Sequence, residues 1–336
     1  MTIERTLIIA EIGVNHNGDL QLAKKLIHEA ADAGADIVKF QTFKTQNSIS
    51  QSAPLAEYQE KNVPDARSQL EMVSSLELSE SEHFTLNEFA LQNSIEIFST
   101  AFDLESLDFL HQFNFKYIKI ASGEVTNLPL LRAIGRQRKK VILSTGMCTL
   151  GDIECALNSL ESEGLQRKDI TILHCTTEYP APINEVNLQA IETLQRRFGT
   201  AVGYSDHTMG ITIPIAAVSL GAKIIEKHFT LDRSMPGPDH QASIEPNEFA
   251  AMVTAIRQVE DAMGDGVKRV TESEKKNLMV ARKSLVASHK IKRGDLFSID
   301  NITAKRPGTG ISPMLLDDVI GRQAQRDFDV DDLIVI

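Results

Sequence analysis

The chain has 336 residues, with 46 acidic against 35 basic side chains, a net charge of −11 and a pI near 5.4. That balance argues against nucleic acid or an anionic membrane as the main partner. A hydrophobic content of 42% with 24% charged residues is globular, and the length suits a barrel plus a small module.

The opening MTIERTLIIAEIG has too short an apolar run for a signal peptide or a membrane span. Its residues 7–12 read as a buried strand containing Glu11. VNHNGD is turn chemistry, and residues 20–33 place Leu22, Ala23, Leu26, Ile27 and Ala30 at helical spacing before Gly34 stops the helix. Residues 36–40 are a second strand, carrying Lys39. A long polar insertion, 46–75, follows it, and long loops at strand C-termini often build or cover sites.

The alternation continues. Helix 82–92 leads to strand 95–99 and Thr100; helix 104–113 leads to strand Tyr117–Ile120, followed by Ala121, Ser122, Gly123 and Glu124. Helix 129–137 precedes strand 141–143, which runs into Ser144, Thr145 and Gly146. Helix 151–163 precedes strand 170–174, followed by Cys175, Thr176, Thr177, Glu178, Tyr179 and Pro180. After helix 188–198 come strand 201–204, helix 211–220, strand 222–225 and helix Pro246–Met263. Eight strands alternating with eight helices predict a parallel α/β fold, and the count matches a closed (β/α)8 TIM barrel over 1–264. An open doubly wound sheet is the alternative, but no GxGxxG follows the first strand and polar residues end nearly every strand.

After Gly264 the pattern breaks. Residues 265–281 (DGVKRVTESEKK and beyond) read as a charged linker, in part helical. From 282 to 336 short strands, beginning with Ser284–Ala287, alternate with Gly, Pro and Asp, which predicts a small β-rich module. The three cysteines, Cys148, Cys155 and Cys175, are odd in number and lack metal-ligand spacing; they fit reduced thiols in a cytoplasm.

The polar residues at the strand ends carry the chemistry. Parallel strands joined by a crossover helix put their C-terminal ends side by side, so His207 and His228 share one small volume with Asp206, Glu226 and Asp239 around it. Two imidazoles and several carboxylates there suit a divalent metal; strand caps hydrogen-bonded to carboxylates are the plainer reading. Lys39 and Lys119 lie in apolar strands, where a buried ammonium requires a partner. A doubly charged small anion would supply it, with Thr100, Ser122, Ser144 and Thr177 as hydroxyl donors. Structural ion pairs with Glu11 or Glu124, or a Schiff-base role for Lys119, are the alternatives. Glu11, Glu124 and Glu226 suit general bases, or neutralise Lys39, Lys119 and Lys227. Tyr179 fits a pocket wall. Arg306, on the Gly/Pro loop KRPGTG, suits a carboxylate or carbonyl ligand, or is a solvated charge.

AEIGVNHNGD, IVKFQTF, FSTAFD, KIASGE, LSTGM, HCTTEYPAP, GYSDHT, EKHFTLDRSMPGPDH and KRPGTGISP run through the whole chain in an order that resembles the bacterial sialic acid synthases. The resemblance implies a (β/α)8 barrel followed by an antifreeze-like (SAF) domain in a domain-swapped homodimer. It implies condensation of phosphoenolpyruvate with N-acetylmannosamine, or a related N-acetylated sugar, to a nine-carbon sialic-type acid and phosphate. A divalent metal, Mn2+ or Mg2+, is implied on His207 and His228. Lys39, Thr100, Lys119, Ser122 and Ser144 are implied to hold phosphoenolpyruvate, and Glu11, Tyr179 and Asp239 the sugar. Glu124 and Glu226 take acid/base or positioning roles, and Arg306 reaches the sugar's N-acetyl group from the partner subunit. Some sialic acid synthases have Asn where this chain has Thr177; HCTTEYPAP also resembles legionaminic acid synthases, which use 2,4-diacetamido-2,4,6-trideoxymannose. A metal-dependent hydrolase on the same barrel, and a non-catalytic binding protein, are the rival readings.

Overall fold

A computed structural model describes residues 5–64 and 66–336; Met1–Glu4 of the N-terminal stretch and Asp65 of the insertion lie outside the described residues. The chain divides into two compact units, Met1–Gly264 and Asp265–Ile336.

In the first unit eight parallel strands close into a barrel in sequence order. They are β1 (Leu7–Gly13), β2 (Ile37–Thr42), β3 (Glu96–Ala101), β4 (Tyr117–Ile120), β5 (Lys140–Ser144), β6 (Ile170–Cys175), β7 (Ala201–Asp206) and β8 (Ile224–His228). The helices that return the chain to the start of each next strand pack outside. α1 (Leu20–Asp32) shows why they form: Asp19 caps its N-terminus, accepting from the N–H of Gln21 and Leu22, and Ala23, Leu26, Ile27 and Ala30 are buried on one face. Gly34, at φ +87°, ends the segment as only a glycine does comfortably.

The insertion after β2 is not a bare polar loop. It holds three short helices, α2 (Thr45–Ser48), α3 (Glu57–Asn62) and α4 (Gln69–Ser74), before α5 (Glu80–Gln92). The remaining barrel helices are α6 (Leu104–Leu110), α7 (Leu128–Gln137), α8 (Leu150–Ser162), α9 (Ala190–Phe198), α10 (Thr212–Ser219) and α11 (Pro246–Met263).

β7 and β8 run further than the apolar pattern suggests, through Asp206 and His228. Alternation explains it. Ser205 points inward and its hydroxyl donates to Glu226 Oε1 at 3.0 Å, while Asp206 points outward and pairs with Lys227. Each polar group finds its partner on the neighbouring strand, so the strand continues.

The lumen is filled below the site by Ile9, Ile37, Phe98, Ile142, Leu173 and Ile224. Gly203 belongs to this layer; a Cβ there would lie 2.5 Å from Ile224 O and 2.6 Å from Leu173 Cδ2, so the close packing itself demands glycine. None of the described helices is long and apolar enough to cross a membrane.

The second unit pairs β9 (Ser284–Ala287) antiparallel with β10 (Ile302–Lys305). Its core sets Phe297 against Phe328, ring centroids 5.6 Å apart. It also contains α12 (Glu272–Ala281), so much of the stretch expected to be a linker is helix, with Glu274 reaching back to the Thr271 N–H in a capping box. The final helix, α13 (Leu316–Val319), is one turn.

Candidate active site in the barrel mouth

The C-terminal ends of the strands open into a cavity of about 500 Å³. Among its lining residues are Glu11, Lys39, Thr100, Lys119, Ser122, Glu124, Ser144, Thr177, Tyr179, His207, Glu226, His228 and Asp239. Register puts them there: Glu11 pairs with Lys39 across β1–β2 and with His228 across β1–β8, and Thr100 pairs with Lys119.

The floor is a network of buried charges. Lys39 Nζ lies 2.7 Å from Glu11 Oε2, 3.1 Å from Thr100 Oγ1 and 3.8 Å from Glu226 Oε2. Lys119 Nζ donates to Ser144 Oγ at 2.7 Å and lies 3.5 Å from Glu226 Oε1. Glu226 therefore sits between two ammonium groups. Burial would raise its pKa, but Lys119 and Lys39 outweigh that and hold it below the ordinary carboxylate value. Burial pushes Lys119 down, only partly opposed by Glu226. Burial also drives Glu11 up to about 7, with Glu226 adding to it against the pull of Lys39. Asp239, buried opposite, is pushed up to about 6 despite His207 and Lys39. Glu11 and Asp239 are thus the carboxyl groups poised to exchange protons near neutrality.

Above this floor the rings of His207 and His228 stand 5.4 Å apart. His207 Nδ1 donates to Thr176 O at 2.6 Å, so in the neutral ring Nε2 is the acceptor; burial would lower the pKa of this ring, but Cys175 and the Thr176 carbonyl outweigh it and raise it. His228 Nδ1 is buried without a hydrogen-bond partner, 3.9 Å from Asp239 Oδ2, and burial beside His207 holds this ring neutral. Among the described residues no group of three or more His, Cys, Asp and Glu is placed to hold a metal ion. The orphaned Nδ1 and the fixed tautomer of His207 fit a divalent cation on two imidazoles, its other positions left to substrate oxygens and water. Of the three carboxylates expected around that volume, Glu226 and Asp239 line the cavity and Asp206 does not. Asp206 points out of the lumen, where Lys227 Nζ donates to it and, at 2.7 Å, to Thr208 O.

The hydroxyl groups converge as expected. Ser122 Oγ accepts from the Gly146 N–H at 2.9 Å, and Thr177 Oγ1 is buried with no partner. A Cβ on Gly146 would sit 2.0 Å from that Oγ1, so glycine keeps the corner open. Glu124 lies in a short 3-10 turn, half-buried, and accepts from Asn127 Nδ2 at 2.6 Å rather than pairing with a lysine. Tyr179 closes one wall, its ring 4.2 Å from His207 and 5.0 Å from Tyr58 of the insertion. Arg306 is exposed in the second unit, where its Nε donates to Ala281 O at 3.0 Å.

Three contributors were not singled out from sequence. Gln41 Nε2 donates to Glu11 Oε1 at 3.1 Å; it faces inward two residues past Lys39, so strict alternation along β2 would have found it. Asn62 Nδ2 donates to Pro238 O at 2.6 Å and ties the insertion to the loop after β8. Asn15 donates to Phe229 O at 2.9 Å and to Ser243 Oγ at 2.8 Å, and Ser243 Oγ in turn donates to Asp239 O at 2.7 Å. No local signal marks the last two, whose partners are distant in sequence.

Residues 26–268 match the NeuB family, and residues 282–335 match the SAF domain. The chain belongs to the NeuB family. It is 55% identical to an N,N'-diacetyllegionaminic acid synthase of Campylobacter jejuni, over 99% of both chains. It is 45% identical to the N,N'-diacetyllegionaminic acid synthase of Legionella pneumophila, over 94% of this chain and 89% of that one. A solved N-acetylneuraminic acid synthetase of Leptospira borgpetersenii, in complex with citrate, is 35% identical with a TM-score of 0.73, over 81% of this chain and 90% of that one. This NeuB-family chain thus has its family's barrel and SAF unit in sequence order.

Proposed function

We propose that this protein condenses phosphoenolpyruvate with an open-chain N-acetylated mannose-type sugar and water, giving a nine-carbon sialic-type acid and phosphate. The observation that carries the reading is the layer of Lys39, Lys119, Thr100 and Ser144 under the His207–His228 pair in one cavity. The sugar we favour is 2,4-diacetamido-2,4,6-trideoxymannose, because the identity to two N,N'-diacetyllegionaminic acid synthases, 55% and 45%, exceeds the 35% to the N-acetylneuraminic acid synthetase. That same 35% supports N-acetylmannosamine as the second reading.

Lys39 and Lys119, with Thr100, Ser122, Ser144 and Thr177, hold the phosphate and carboxylate of phosphoenolpyruvate by charge-assisted hydrogen bonds. Glu226 keeps both ammonium groups in place. The methylene carbon attacks the sugar's aldehyde carbon, and an oxocarbenium develops on the former enol carbon. Water adds there, and carbon–oxygen cleavage releases phosphate. Glu11 and Asp239, with pKa values pushed to about 7 and about 6, hold the sugar hydroxyls and move protons at those oxygens. Glu124 at the cavity edge, its pKa raised by burial, serves as a proton donor. Tyr179 packs on the sugar. A divalent ion, Mn2+ or Mg2+, on His207 and His228 would supply Lewis-acid polarisation of the aldehyde. Arg306 of a second copy would complete the site in a domain-swapped homodimer.

The test is a substrate panel with Mn2+ and phosphoenolpyruvate, reading phosphate release and the acid product. Release that requires the sugar is expected. Release without it would point to the metal-dependent hydrolase instead, and no turnover with either sugar would favour a binding protein.

A further inference from the structure

The reaction as derived uses the cavity's polar floor and leaves one wall unexplained. On the β1–β3 side the lining includes Val14, Phe43, Ile49, Met72, Val73 and Phe102, with Gln59 and Gln69 of the insertion beside them and Gln59 Oε1 taken up by the Ala56 N–H. Val14 and Phe43 are buried in a cluster with Leu76, Val73 and Phe102 that is separate from the barrel core. A cluster that merely anchored the insertion could turn wholly inward; this one presents its side chains to the cavity. Ser48, at its edge, has its single hydroxyl hydrogen directed at Lys44 O (3.3 Å) and Phe102 O (3.4 Å), so it has no hydrogen left to donate to a ligand. The wall is held in place from both sides, by the Asn62 bond to Pro238 O and by the Tyr58–Tyr179 contact at 5.0 Å.

We infer that this wall sets the sugar specificity: it receives the methyl at C6 and the acetyl methyl at C4 of a 2,4-diacetamido-2,4,6-trideoxy sugar. The inference rests on the proposed reaction, which fixes the aldehyde end at the histidines and phosphoenolpyruvate over the lysines. The distal end of the open-chain sugar then leaves the polar floor. N-acetylmannosamine carries hydroxyls at C4 and C6. Where they face the Phe43, Met72, Val73 and Phe102 side chains rather than Gln59 or Gln69, those hydroxyls lose water and gain no partner, whereas methyl groups are favoured. Apolar pockets discriminate against an added hydroxyl by about tenfold to a hundredfold, which is the preference expected here.

The experiment compares kcat/KM for N-acetylmannosamine, its 6-deoxy derivative and the 2,4-diacetamido-2,4,6-trideoxy sugar, with Mn2+ and saturating phosphoenolpyruvate. The wild type should prefer the third over the first by about tenfold to a hundredfold, with the 6-deoxy derivative between them. Val73→Thr, nearly isosteric at a half-buried position, and Met72→Gln should each lower that preference by roughly tenfold and leave the phosphoenolpyruvate KM in place. Thermal melting checks that both variants fold. A wild type that prefers N-acetylmannosamine, or a preference that neither folded variant moves, overturns the wall. A wild type that condenses none of the three sugars with phosphoenolpyruvate sinks the synthase reading itself.

Discussion

Two layers of the barrel lumen, two residues apart on the same strands, are built on opposite principles. The lower layer is Ile9, Ile37, Phe98, Ile142, Leu173 and Ile224. The upper is Glu11, Lys39, Thr100, Ser144, Cys175 and Glu226, each two positions further along its strand. Below, each fully buried aliphatic side chain contributes about 1.5–3 kcal/mol by leaving water. Above, every charge bears a desolvation cost that only its neighbours offset. The apolar plug makes the charged layer possible: it closes the lumen against water and leaves the ammonium and carboxylate groups facing one open mouth.

The comparison breaks first, and most severely, at the histidines. His207→Ala or His228→Ala should leave the fold intact and cut turnover to below about a thousandth of wild type, since only one imidazole would remain for the ion. Isothermal titration with Mn2+ should show the lost site directly. A variant that retains full turnover in chelator-treated buffer would remove the metal from the account.

Lys119→Met tests the charged layer itself. Glu226 would keep one ammonium, Lys39 at 3.8 Å, and the Ser205 hydroxyl, so its carboxylate is left poorly compensated. Chemical denaturation at neutral pH should show a loss of about 3 kcal/mol. Phosphoenolpyruvate kcat/KM should fall on the order of a hundredfold. Unchanged stability would mean that Glu226 takes up a proton instead, which a titration of the variant would reveal.

Arg306→Ala should raise the sugar KM and lower kcat/KM by roughly tenfold to a hundredfold, the worth of one charge-assisted hydrogen bond, with phosphoenolpyruvate nearly unaffected. Mixing gives the sharper result. Co-refolded heterodimers of Arg306→Ala and His207→Ala contain one intact site only if the arginine acts in trans. Heterodimers that form and show no recovery would sink the swapped arrangement.

Much of the barrel was legible in advance because its signals are local. Apolar runs of strand length alternate with helical spacing, and Lys39 and Lys119 stand out inside them. What was missed depends on partners far along the chain. Asp206 reads as a site residue until its pairing with Lys227, on the next strand, turns it outward. Counting by twos from Gly203 through Ser205 to His207 would have put it on the other face. Glu124 reads as a partner for lysine, but it lies in the turn beyond β4 and bonds Asn127, three residues on. The insertion reads as polar because its exposed residues are; Val73 and Leu76 take their meaning only from Phe43 and Phe102 on other segments.

Glu11 gives a smaller, graded effect. As a base it must be ionised, and its pKa is pushed up to about 7 by burial and Glu226. The sign follows: kcat/KM for the sugar should fall as pH drops through that value, by about fivefold between pH 7 and pH 6. Glu11→Gln should be slower throughout and lack that acid limb. A limb that survives unchanged would transfer the base role to Asp239.

The smallest effect lies in the lower layer, and it is the control for the others. Ile142 is buried in the apolar plug, one residue before Leu143 and two before Ser144, whose hydroxyl accepts from Lys119. Ile142→Val removes one methylene, leaving a small void with no polar group exposed to it. Denaturation should report a loss of about 0.5–1.5 kcal/mol. Both KM values and kcat should stay within about twofold of wild type, because the charges two residues above are held by one another rather than by the plug. A large change in phosphoenolpyruvate KM with so small a loss of stability would mean that the plug also sets the height of Ser144 and Lys119, and that the two layers act as one.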